Sequence, residues 1–130
     1  MLNNLQNPLT LVGRTLLAVL FIASGFGKLT GYSGTAAYMA SHGLPMVEVL
    51  LPLTILVELG GGICIVLGLF ARYVALVMFA FLIPVTLVFH TAGDAANNIQ
   101  MLKNISIMGA MLLLAAFGPG RWSLDAKRAA

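Results

Sequence analysis

Five polar side chains punctuate otherwise apolar stretches of this 130-residue chain: Lys28, Glu58, His90, Lys103 and Asn104. They offer one carboxylate, two ammonium groups, an imidazole and an amide, a set suited to holding the polar head of a small organic molecule. A quinone ring needs hydrogen-bond donors and acceptors beside an apolar slot for its tail, and Lys28, His90 and Glu58 could supply the polar part. Other chemistries find little support. A bis-histidine haem needs two histidines on facing helices, and one of the two present, His42, lies in a polar connection. One histidine with one glutamate makes a poor zinc or di-iron site, so no metal centre is expected. Cys64 stands alone inside an apolar run, which excludes an intramolecular disulfide, a CxxC redox pair and a Cys-based metal site. No phosphate loop, nucleotide fingerprint or Ser-His-Asp order is visible.

The solvent around these groups follows from composition. Hydrophobic residues make up 60% of the chain and charged residues 8%, against about 25% charged in soluble globular domains. This is the composition of a membrane protein, and the length allows one domain, 1–130. The net charge of +3 does not point to nucleic acid, because the basic residues are scattered and form no stripe. Polar MLNNLQN precedes the first apolar segment and no A-x-A-like cleavage site follows it, so a retained span is expected rather than a signal peptide.

Four stretches, at about 9–29, 46–70, 73–89 and 99–117, have the length a bilayer requires. The expected fold is all-α, an integral membrane four-helix bundle. Pro8 suits the first turn of the first helix, where its missing N–H costs nothing. The connection TGYSGTAAYMASHGL (30–44) is too polar to span. Ser33 is expected to N-cap a short surface helix over about 34–41 that stops at His42-Gly43. Pro84 predicts a kink in the third span, and Gly118-Pro119-Gly120 ends the fourth before a polar tail. Gly61 and Gly62, with Gly60, allow close helix approach next to Glu58.

Charge placement predicts the orientation. With both termini cytoplasmic, the inner side holds Arg72, Arg121, Lys127 and Arg128, with Arg14 close enough to snorkel there. The outer connections hold Glu48, Asp94 and His42, with no lysine or arginine outside the spans. Glu58 then lies about 18 Å above the inner end, Arg14 about 8 Å and Lys28 about 28 Å. A charge at the bilayer centre costs roughly 2.5–3.5 kcal/mol on insertion scales, so Glu58 needs a polar partner. Height alone leaves a tie. Side chains lean toward their helix's N-terminus, which tilts Lys28 toward Glu58 and Arg14 away from it. Arg14 and Lys28 still fall within about 40° on one helix face, and Arg14 stays open as the alternative. His90, Lys103 and Asn104 fall in the same outer half, so polar groups from four helices converge.

The segments GRTLLAVLFIASGFGKLTGY (13–32), VELGGGICIVLGLFAR (57–72), MLKN (101–104) and GPGRWSLDA (118–126) resemble the DoxX family of small bacterial four-helix membrane proteins. The resemblance covers nearly the whole chain in order. It implies a multi-pass protein of the bacterial inner membrane, with family-like polar positions at Arg14, Lys28, Glu58, Arg72, His90 and Lys103-Asn104. The family takes its name from a subunit associated with an archaeal thiosulfate:quinone oxidoreductase. The resemblance therefore implies quinone as a candidate cofactor and a redox enzyme as a candidate partner, with an accessory role rather than a complete catalytic site. Two other functions fit the same residues. One is a small-molecule permease or exporter, which four short helices could form only as a homo-oligomer. The other is a structural or interaction protein in which Glu58 and Lys28 fix the bundle's register, with Arg14 and Arg72 in structural or topological roles.

Overall fold

The computed structural model describes residues 2–91 and 93–129. All regular structure among them is helical, and four helices are long and apolar enough to cross a membrane. After a 3₁₀ turn at Leu2–Leu5 comes α1 (Gln6–Thr30), followed by the short α2 (Tyr32–Ser41). The second span, α3 (Val47–Leu67), precedes α4 (Ala71–Phe89) and α5 (Ala95–Phe117), and a final short helix, α6 (Leu124–Ala129), closes the chain. The 19 residues of α4 rise about 28 Å, close to the thickness of the hydrocarbon core.

Each span turns a narrow stripe inward. In α1 it is Arg14, Ala18, Phe21 and Gly25; in α4 it is Ala71, Ala75, Met78, Leu82 and Thr86. These spacings of three and four are those of one helix face. Phe21, Ile65, Met78 and Met111 bring the four spans into a single core. A smaller cluster, Met39, Leu51 and Ile55, seats α2 against the start of α3. The remaining faces carry exposed apolar side chains such as Leu16, Leu87, Ile99 and Phe117, as a lipid-facing surface requires.

α1 and α3 approach closely enough to exclude a side chain at their contact. A Cβ on Gly25 would stand 2.8 Å from Leu59 N, and one on Gly62 would stand 2.7 Å from Ile22 Cγ1. Gly61 faces α4 instead, where a Cβ would meet Met78 Sδ at 2.9 Å. Small residues let two membrane helices approach this closely. Gly25→Ala should therefore cost about 1–3 kcal/mol, because α3 backbone must shift to admit the methyl. Gly27, two residues on, faces open space, and Gly27→Ala should leave thermal unfolding in detergent nearly unchanged. Equal melting temperatures for the two variants would refute this packing.

Several boundaries differ from those the sequence suggests. Ser33 does not cap α2, which starts at Tyr32 with Gly31 as its N-cap. The fourth span begins at Ala95 rather than 99, because the Asp94 carboxylate accepts a hydrogen bond from Asn97 N at 2.7 Å and starts the helix there. At its far end α3 stops at Leu67, where Gly68 takes φ +67° and Leu69 N donates to Cys64 O at 2.9 Å. That left-handed glycine is the usual terminator of a helix. The tail is not merely polar: Asp125 of α6 accepts from Phe70 N at 2.7 Å and Ala71 N at 2.8 Å, capping α4.

Candidate functional site: an ion pair in the wall of an amphipathic cavity

α3 is not a uniform α-helix. Residues Leu56–Gly60 form a π-helical turn, and Glu58 is at its centre. Such turns hold one surplus residue and are frequent at functional sites. Its carboxylate is turned into the bundle, 7% exposed. On α1 the inward stripe that runs through Gly25 ends at Lys28, whose Nζ lies 2.8 Å from Glu58 Oε1. The Lys28 ammonium also donates to Ser24 Oγ at 2.8 Å. The contact with Oε1 is an ion pair without the alignment of a hydrogen bond, so that oxygen is neutralised but keeps acceptor capacity.

Lys28, Glu58 and His90 line one cavity of about 170 Å³, together with the hydroxyl-bearing Thr35, Tyr38 and Thr54. His90 caps the end of α4, and its Nδ1 stands 3.3 Å from Asn97 Oδ1. Tyr38 stacks on Phe89 with ring centroids 5.5 Å apart, and both rings border the cavity. His42 packs 4.9 Å from the Phe89 ring, outside it. Met39, Thr54, Phe81, Val85 and Phe89 also border a larger, almost wholly apolar groove of about 340 Å³. A polar recess and an apolar slot thus share a wall.

Lys103 and Asn104 do not line this cavity. Asn104 is buried and donates to Thr86 Oγ1 at 3.0 Å, joining α5 to α4. Lys103, one residue away, is exposed and hydrogen-bonds Gln100 on its own helix. Arg14 does not snorkel to an interface. It is 3% exposed, and its Nη atoms donate to Pro119 O at 2.6 Å, Trp122 O at 2.9 Å and Val66 O at 3.1 Å. Its lean away from Glu58 ends on backbone carbonyls, not in water. Arg72 reaches across to cap α5, donating to Ala115 O at 2.7 Å and Ala116 O at 3.0 Å. Among the described residues no three His, Cys, Asp or Glu side chains converge. The aromatic border was not read from the sequence; Tyr38 on a surface helix and Phe89 beside His90 were its available signals.

Four apolar spans around a lysine–carboxylate pair, its carboxylate buried, define a small polytopic membrane protein with an amphipathic recess. A model of the DoxX family matches residues 9–91, which include Lys28, Glu58 and His90. The chain belongs to the DoxX family. It is 41% identical over 125 residues to inner membrane protein YqjF of Escherichia coli (strain K12), covering 95% of each chain. It is also 40% identical over 123 residues to inner membrane protein YphA of the same organism, covering 90% of this chain and 88% of that one. No solved structure matches it. The protein is a multi-pass protein of the inner membrane.

Proposed function

We propose that the protein binds a quinone-like molecule within the bilayer and serves as an accessory subunit of a redox enzyme. One observation carries this reading: the polar cavity of Lys28, Glu58 and His90 shares a wall with an apolar groove. An occupant of both must have a small polar head and a hydrophobic tail. A lysine ammonium has three donors; one on Lys28 serves Ser24, and the charge also pairs with Glu58, which leaves donor capacity for a carbonyl oxygen. With His90 Nδ1 facing Asn97 Oδ1, the other ring nitrogen is left to accept from a ring hydroxyl. Glu58 retains acceptor capacity for a hydroxyl, so oxidised and reduced forms of the ring would use different members of the set.

Binding of a short-tailed quinone to the purified protein tests this. Lys28→Met and Glu58→Gln should each weaken it by about tenfold or more, the equivalent of one charge-assisted hydrogen bond. Unchanged binding in both variants would remove these residues from the site.

A further inference from the structure

We propose that the opposite end of the bundle carries a site for the phosphate headgroup of an anionic phospholipid. Arg14 is fourteen residues before Lys28 on α1, about 21 Å along the helix, so this site is separate from the cavity at Glu58. It is a recess of about 410 Å³ into which Arg14, Arg121 and Lys127 bring positive charge, and no acidic side chain lines it. Arg121 and Lys127 are exposed, whereas Arg14 is buried.

Arg14 is the informative member. Its two Nη atoms are held by three carbonyls, but the buried Nε has no hydrogen-bond partner among the described residues. A buried donor without an acceptor is costly and rare in folded proteins. The Asp125 oxygens are turned instead to the first amides of α4. Nε itself is closed to solvent, so a phosphate seated in the recess would be held by the exposed Arg121 and Lys127, beside the fixed positive charge of Arg14. The rest of the wall selects a lipid over a soluble anion. Leu11 belongs to the first span, Leu67 ends the second, and Trp122 is half exposed beside them. Such a wall extends the charged recess into hydrocarbon, and a tryptophan there suits the membrane boundary. By the positive-inside rule this is the cytoplasmic leaflet, where basic clusters between or beside spans attract anionic headgroups.

Thermal unfolding of the full chain in an uncharged detergent tests the site. Phosphatidylglycerol added to the micelles should raise the melting temperature by about 4 °C or more, as ligands that bind only the folded state do. Phosphatidylcholine, and inorganic phosphate at the same phosphate concentration, should not. The double variant Arg121→Gln/Lys127→Gln should lose the response. The charge-matched Lys103→Gln/Arg128→Gln should keep it, since neither residue lines the recess. Equal stabilisation by phosphatidylcholine would overturn the proposal, as would equal loss in the two double variants. Stabilisation by inorganic phosphate alone would replace the lipid with a soluble anion and overturn it too.

Discussion

Arg14→Met should free the C-terminal segment from the bundle and lower stability by about 3–5 kcal/mol, the range for breaking a buried charged network. The guanidinium is the only side chain that donates to Pro119 O, Val66 O and Trp122 O among the described residues. Removing it strands three carbonyls, each of which costs about 1–3 kcal/mol if it stays dry. The segment also depends on close packing, because a Cβ on Gly68 would meet Ser123 Cβ and Arg14 Nη1. Once the clamp is gone, Asp125 should leave the N-terminus of α4, and Arg128 should leave the face of Phe70, over which it lies at 4.4 Å. Trypsin should then cut at Arg121 and Lys127 faster than in the unaltered protein. Arg14→Lys should rescue only partly, since a point charge on a flexible stem cannot reproduce the planar fork. Unchanged tryptic cleavage in Arg14→Met would show that the segment is held by other contacts.

Lys28→Met should destabilise more than Glu58→Gln. The first change leaves a carboxylate, its side chain 10% exposed, without its counter-charge. Breaking a buried pair from one side costs about 3–5 kcal/mol, and the lower end applies here because the Lys28 side chain is 27% exposed. The second change leaves an ammonium that keeps Ser24 and reaches the cavity, so a loss of roughly 1–2 kcal/mol is expected, near the value of one charged hydrogen bond. The double variant Lys28→Met/Glu58→Met should recover most of the loss, since apolar replacement of both partners is often neutral or favourable. Thermal melts in one detergent of the unaltered protein, Lys28→Met, Glu58→Met and the double variant close the cycle and give the coupling. Additive losses would mean that the two groups do not stabilise each other.

What the sequence made legible was depth along each helix. Hydrophobic length located four spans, and the rise per residue with the backward lean of side chains singled out Lys28 over Arg14 as the neighbour of Glu58. Depth says nothing about azimuth. Lys103 and Asn104 share a depth but differ by about 100° around α5, so one faces outward and the other meets Thr86. The tail was opaque for another reason. A helix as short as Leu124–Ala129 has no measurable periodicity, and its partners at Phe70 and Ala71 are more than fifty residues earlier. The π-turn at Glu58 depends on a shift of hydrogen-bond register that no residue type announces.

The ion pair also bears on how the protein enters the membrane. Ribosomes deliver α1 before α3, and Lys28 lies near the end of its helix, within reach of the headgroups, while Glu58 is near the middle of α3. Alone, α3 would carry an insertion penalty of roughly 2.5–3.5 kcal/mol for that carboxylate. With α1 waiting alongside, the counter-charge is already present when Glu58 arrives. The first two spans should therefore insert more readily as a hairpin than α3 would alone.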